Sequence, residues 1–307
     1  VTARTPVHVL GAGAFGTALA AALLRDGRTP SLHARNPAAH PAAQPAVQPL
    51  TAPLTSGAAV LLAVPAPATA ALLDTVRLPP DAAAVICAKG ISGPGSLLQS
   101  EIVAACHPGP VAVLTGPSFA AEIRRGLPTA LTLACADPDI GRRLQAALST
   151  PALRLYLTTD VTGAQLGGAL KNVVAIACGI ATGARLGESA RAALMTRGFA
   201  EMVRLGTAMG GRADTFAGLS GLGDLALTCA SPMSRNFAAG LALGQGGGPA
   251  SGVTVEGTGT ARAVLGLAAR HGVEMPIAAA VAAVLDGSTG VAEAMAGLLA
   301  RPQRSEG

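Results

Sequence analysis

Short apolar runs alternate with helix-like segments through the first half of the chain and then cease abruptly, which restricts the fold more than any other feature of the 307 residues. Runs at 6–10, 31–34, 58–64, 83–88, 111–114, 129–135 and 153–157 read as strands. Between them lie helical stretches such as 17–26, stopped by Gly27, and a segment opened by Asp137 as N-cap and Pro138 in the first turn. Continuous apolar strands separated by helices form a parallel sheet covered on both faces. From Asp160 onward only helical periodicity is found, over 161–184, 190–209, 259–270, 277–285 and 291–299. The pattern predicts an α/β protein, a doubly wound sheet over residues 1–158 followed by an all-α domain over 159–307. Two low-complexity stretches, 37–53 and 244–252, are expected to be surface loops.

Composition removes several classes. Half of the residues are hydrophobic, and mean hydropathy is +0.48, which raises the question of a membrane protein. No charged side chain occurs between Arg35 and Asp74, but seven prolines interrupt that stretch, and the apolar run 173–184 is shorter than the ~20 residues of a span. No membrane span is expected, and an N-terminus without a signal-peptide core favours the cytoplasm. The five cysteines lie far apart without a C-x-x-C, and the five histidines show no metal-ligand spacing. The net charge of +5 is dispersed rather than blocked, so nucleic acid is not an expected partner.

Gly11-Ala12-Gly13-Ala14-Phe15-Gly16 is a weak pattern by itself in a chain with 39 glycines. Its position between the first strand and the first helix gives it weight. There the glycines allow a tight turn and a close approach of pyrophosphate to a helix N-terminus, as in a Rossmann domain. At the end of the second strand, where NAD-specific folds place an acid for the ribose hydroxyl, this chain has Arg35. A guanidinium suits a 2′-phosphate, so NADPH is the expected cofactor and NADH a possible one; a solvated arginine is the alternative.

The chain has 20 arginines but two lysines, Lys89 and Lys171, and three asparagines, Asn36, Asn172 and Asn236. Lys89 follows a strand at the end that faces ligands in open sheets. Gly116, Ser118 and Ala120 lie in the turn after the next strand, either a plain turn or an anion site. Lys171 lies mid-helix, one turn after Gly167 and Gly168, each costing about 1 kcal/mol against alanine unless something packs closely. Desolvation there would lower its pKa toward that of a proton donor, unless the stem snorkels to the surface. Asp224, with Thr228 one turn later, could pair with Lys171 or cap a helix. Ser234, Arg235 and Asn236 form a candidate phosphate clamp, and Glu256 could meet the cofactor.

In order, the motifs G-A-G-A-F-G-T-A-L-A, A-R-N-P, K-G, G-P-S-F-A, Q-L-G-G-A-L-K-N, G-L-G-D-L, S-R-N and V-E-G resemble the bacterial NAD(P)-dependent glycerol-3-phosphate dehydrogenases. The resemblance spans most of the chain and is most specific from Asp160 to Asn236. It implies reversible reduction of dihydroxyacetone phosphate to sn-glycerol 3-phosphate, a phospholipid precursor, by a homodimer that needs no metal. It implies Lys171 as general acid, with Lys89, Gly116, Ser118, Asn172, Asp224, Thr228, Ser234, Arg235 and Asn236 at the substrate. Gly11, Gly13, Ala14, Phe15, Gly16, Arg35, Lys89, Ala120, Arg235, Thr254 and Glu256 would line the cofactor. His33 stands where the family commonly has an aromatic residue. Two competing readings are a β-hydroxyacid-type dehydrogenase, which the S-R-N and G-L-G-D-L motifs oppose, and a non-catalytic NADPH sensor, which Lys171, Asn172, Asp224 and Arg235 together oppose.

Overall fold

The computed structural model describes residues 5–40, 45–92, 95–248 and 254–300. Its sheet is built from β1 (Val7–Leu10), β2 (Ser31–Ala34), β3 (Val47–Pro49), β4 (Ala59–Leu62), β5 (Ala83–Ile86), β8 (Val111–Thr115), β9 (Thr129–Cys135) and β10 (Leu153–Thr158). A two-stranded ribbon, β6 (Ile91–Ser92) with β7 (Leu97–Leu98), lies between β5 and β8 in the chain. The helices among the strands are α1 (Ala14–Arg25), α2 (Thr69–Thr75), α3 (Gln99–Cys106), α4 (Ala120–Arg125) and α5 (Pro138–Leu148). After β10 come α6 (Val161–Gly183), α7 (Glu188–Ala208), α8 (Ala213–Ala217), α9 (Asp224–Cys229), α10 (Arg235–Gly244), α11 (Glu256–Arg270), α12 (Pro276–Leu285) and α13 (Val291–Leu299).

The strands form one eight-stranded sheet in the order β10-β9-β8-β5-β4-β1-β2-β3. This is a doubly wound, Rossmann-type sheet followed by helices. It departs from the expected all-parallel arrangement at one place. β9 pairs with β8 antiparallel, and β10 follows β9 in parallel, so the last two strands run against the other six. An apolar strand buried on both faces reads alike in either direction. The reversal arises because α4, six residues closed by Gly126 at φ +78°, turns the chain back beside α1 instead of carrying it across the sheet.

Three other expectations need correction. The proline-rich stretch 37–53 is not all loop, because β3 lies within it as the edge strand, with Leu32 to Ala34 of β2 paired to Val47 to Pro49. Residues 41–44 of that stretch and 249–252 of the glycine-rich one lie outside the described residues. Helix α1 starts at Ala14 rather than at 17, because the glycine turn itself provides the N-cap, Gly13. Finally, α6 is by length and composition able to cross a membrane. It is instead the core helix of the second half, buried along nearly all its length by α7, α9, α10, α11 and α12.

Glycines determine how close that packing is. Gly179 and Gly183 of α6 face Gly240 and Gly244 of α10. A Cβ on Gly240 would fall 2.1 Å from the Ile176 carbonyl oxygen, and one on Gly179 would fall 2.2 Å from that of Phe237. The two backbones touch, which only residues without side chains permit. Gly240→Ala should therefore cost about 1–3 kcal/mol through overpacking. At Gly259 of α11, where an added Cβ meets nothing within 4 Å, alanine should instead stabilise by up to about 1 kcal/mol. Thermal unfolding of the two variants should show Tm shifts of opposite sign.

Candidate active site

Two ammonium groups meet one carboxylate at the boundary between sheet and helices. Lys89 leaves the carboxyl end of β5, and its Nζ donates to Asp224 Oδ2 at 2.6 Å and to the Gly116 carbonyl at 2.8 Å. Lys171 of α6 donates to Asp224 Oδ1 at 2.5 Å and to Thr228 Oγ1 at 2.6 Å. Asp224 has no exposed surface, and it opens α9 without capping that helix. Gly167 and Gly168 make this approach possible. A Cβ on Gly167 would meet the Ser220 carbonyl oxygen at 2.6 Å, and one on Gly168 would meet Thr115 Oγ1 at 2.4 Å.

Burial lowers the Lys171 ammonium from its ordinary 10.5 to about 8; the Asp224 carboxylate opposes that shift, and the Lys89 charge adds to it. Lys171 can therefore both hold and release a proton near neutrality.

A chain of amides fixes the surroundings. The Gly257 N–H donates to Asn236 Oδ1 at 2.9 Å, Asn236 Nδ2 to Asn172 Oδ1 at 2.9 Å, and Asn172 Nδ2 to the Lys89 carbonyl at 3.1 Å. Ser234 caps α10, accepting from the Phe237 N–H at 3.2 Å, and Ser118 Oγ donates to the Gly116 carbonyl at 3.2 Å.

Opposite this floor stands the glycine turn. Gly11, at φ +119°, donates its N–H to the His33 carbonyl, and an added Cβ would lie 2.4 Å from the Ala63 oxygen. Gly16 seats the helix against the turn. Gly13, Ala14 and Phe15 present the first turn of α1, which no side chain caps, to a cavity of about 470 Å³. The same cavity is lined by Lys89, Ser118, Ala120, Lys171, Asn172, Thr228, Ser234, Arg235, Asn236 and Glu256. An uncapped helix start, with open space beside Gly13, fits a dinucleotide pyrophosphate.

Models of the N- and C-terminal parts of the NAD-dependent glycerol-3-phosphate dehydrogenases match residues 39–140 and 160–296. The chain belongs to this family. It is 54% identical over 306 residues to the glycerol-3-phosphate dehydrogenase [NAD(P)+] of Cereibacter sphaeroides, covering 98% of this chain and 100% of that one. Identity to the enzyme of that name from Paracoccus denitrificans is 52% over 317 residues, with 98% and 99% covered. The crystal structure of glycerol-3-phosphate dehydrogenase from Coxiella burnetii superposes with a TM-score of 0.88 at 33% identity, covering 97% of this chain and 99% of that one.

Within this dehydrogenase cleft, Lys89, Lys171 and Arg235 bring three cationic groups against Asp224 and Glu256. Burial raises the Glu256 carboxyl, with Arg235, Lys89 and Lys171 opposing, so the positive balance is favoured. Together with the N-terminus of α10 it suits an anionic substrate. Four expected cofactor residues do not line the cavity: Gly11 and Gly16 shape the turn itself, Arg35 stands exposed just after β2, and Thr254 is exposed ahead of α11; of the expected substrate residues, Gly116 and Asp224 do not line it either. Several lining residues were not anticipated, among them Ala63, Pro65, Cys87, Phe119 and Met233. The first three lie just past the carboxyl ends of β4 and β5, where the rule that located Lys89 could have found them.

Asp224→Asn leaves the shape and removes the charge that both lysines share. Lys171 should then titrate below about 8, and kcat should fall on the order of 10²-fold or more. A pH profile of kcat compared with the parent checks both outcomes.

Proposed function

We propose that the chain catalyses the reversible NAD(P)H-dependent reduction of dihydroxyacetone phosphate to sn-glycerol 3-phosphate, with NADPH preferred and NADH accepted. The observation that carries the reading is the pair of lysines on Asp224 at the cavity floor, facing the uncapped first turn of α1. Residues 1–158 serve as the nucleotide-binding domain and 159–307 as the substrate domain. A supply of glycerol phosphate for phospholipids, a cytoplasmic setting and a homodimeric assembly belong to the same reading.

Gly13, Ala14 and Phe15 hold the cofactor's pyrophosphate, and Arg35 and Glu256 meet its outer groups. When bound, the nicotinamide supplies the hydride. Arg235, with the first turn of α10, holds the substrate phosphate, and Lys89 and Asn172 orient the three-carbon unit. Lys171 gives its proton to the oxygen that becomes an alkoxide, and it recovers one from the hydroxyl in the reverse direction. Asp224 holds the ammonium toward that oxygen, and its charge keeps the proton on Lys171 until it is needed.

NADPH oxidation measured with dihydroxyacetone phosphate and with unphosphorylated dihydroxyacetone should proceed with the ester only. No turnover with the ester would sink the reading, and turnover of a β-hydroxyacid would replace it. With a protonated Lys171 as donor, reduction should slow as pH rises above about 8, and oxidation should speed up over the same range. Lys171→Ala should lower kcat by on the order of 10²-fold or more. Arg35→Asp should weaken NADPH much more than NADH; equal weakening would show that Arg35 does not meet the 2′-phosphate.

A further inference from the structure

Two buried histidines lie outside the machinery just described. His33 of β2 has no exposed surface, and His8 of the neighbouring β1 is 5% exposed. Their rings stand 5.3 Å apart between centroids, with His8 Nδ1 3.1 Å from His33 Nε2. The outer nitrogens have partners of fixed polarity. The Thr55 N–H donates to His8 Nε2 at 3.1 Å, and His33 Nδ1 lies 3.3 Å from the Pro49 carbonyl, which only accepts. The tautomers follow: His8 Nε2 is bare, His8 Nδ1–H donates to a bare His33 Nε2, and His33 Nδ1–H donates to Pro49. Both rings are neutral, and the relay runs in one direction from Thr55 to Pro49.

An added proton breaks this order. The gap between the rings holds one hydrogen, so the extra one must sit on His8 Nε2. Thr55 Oγ1, 3.1 Å away, can accept it, but the Thr55 amide then loses its acceptor. Burial pushes both imidazoles below their ordinary 6.5; at His8 the second ring adds to the shift, and at His33 the Pro49 carbonyl opposes it. The charged groups on the elements around the pair are few. Arg35 follows β2, Asp81 accepts from Ser56 beside Thr55, and Asp74 and Arg77 at α2 are exposed while Leu72 and Leu73 enter the apolar layer that holds Leu10 and Leu50.

The relay fastens what lies next to the nucleotide turn. The His33 carbonyl accepts from Gly11, the first glycine, and Ala34 accepts from Leu50 at 3.1 Å, so Arg35 follows two residues pinned to the 47–55 segment. That segment is a narrow edge, since β3 is three residues long and two of them are exposed, and besides the relay it is held by its ladder to β2 and by buried Leu50. We propose that the neutral His8–His33 relay is the positioning element for Arg35 and sets the preference for NADPH over NADH. The inference rests on the cofactor reading given above. The sign is fixed by linkage. A neutral relay is complete above pH 6.5, and its contribution is lost as pH falls below 6.5 through the lowered values of the two rings.

Affinities for NADPH and NADH, read from nucleotide fluorescence on the parent protein, the H8V/H33F double variant and Arg35→Ala at about pH 7.5 and through a series of lower pH values, test the proposal. At the higher pH the double variant should bind NADPH on the order of threefold to tenfold more weakly than the parent, with NADH little changed. Lower in the series the two proteins should converge at the pH where nitrogen NMR of the parent shows the rings charged. Titration of the 2′-phosphate is common to all three proteins and cancels in the comparison. Equal weakening toward both cofactors, or a gap that persists where the parent's rings are charged, overturns the relay. Arg35→Ala with parental NADPH affinity overturns the cofactor reading, and the proposal with it. Nitrogen NMR of the parent alone gives an independent check, should the variant fail to fold. At the higher pH both rings should carry Nδ1–H and bare Nε2, and any other tautomer or a charged ring overturns the proposal.

Discussion

One carboxylate holds the molecule together where its chemistry lies. Asp224 accepts an ammonium from Lys89, which leaves the sheet, and another from Lys171, which belongs to the helices. Burying three ionisable groups is costly, and a buried pair is weak evidence for stability unless its remaining hydrogen bonds are met. Here most of them are. Gly116 takes a second bond from Lys89, Thr228 takes one from Lys171, and Thr228 in turn accepts no penalty of its own because its hydroxyl also lies 2.6 Å from the Asp224 carbonyl. The arrangement makes sense as a positioned charge cluster more than as a source of stability. A carboxylate shared by two amines keeps both aimed, and the second amine weakens the first one's hold on its proton.

Close backbone contact makes that cluster possible. Gly167 and Gly168 let α6 lie against the Ser220 carbonyl and Thr115, and the Gly179 to Gly183 and Gly240 to Gly244 pairs let α6 lie against α10. The helix that carries Lys171 is thus fixed on two sides by contacts that no side chain could make. Thr115 Oγ1 is the one buried side-chain atom without a hydrogen-bond partner among the described residues, and it lies against Gly168 at this junction.

Much of this was legible in the chain. The glycine turn, the strand runs and the lysine helix announce themselves through period and punctuation, and Gly167 and Gly168 signalled a close approach before the neighbour was known. In a composition that favours arginine, each surviving lysine and two of the three asparagines fall in the cleft. The direction of β9 and β10 was not legible, since a strand buried on both faces has no marker of polarity. β3 was hidden by its prolines, and α2, α4, α8 and α9 are too short, at five to seven residues, to show a period. Arg35 was placed correctly at a strand end, but its distance from the main cavity depends on tertiary packing that spacing does not encode.

The burial of α6 also bears on how the chain reaches its native state. Its 23 residues are apolar enough to enter a bilayer, and α10, α11 and α12, which shield it, follow it in the chain. During synthesis the segment that carries Lys171 therefore emerges before much of its cover. Until residue 285 has been made, an apolar rod of about 35 Å lacks part of its cover, and the uncovered faces are open to other nascent chains, to chaperones and to membranes. The helix that carries Lys171 is for that interval the most vulnerable part of the molecule.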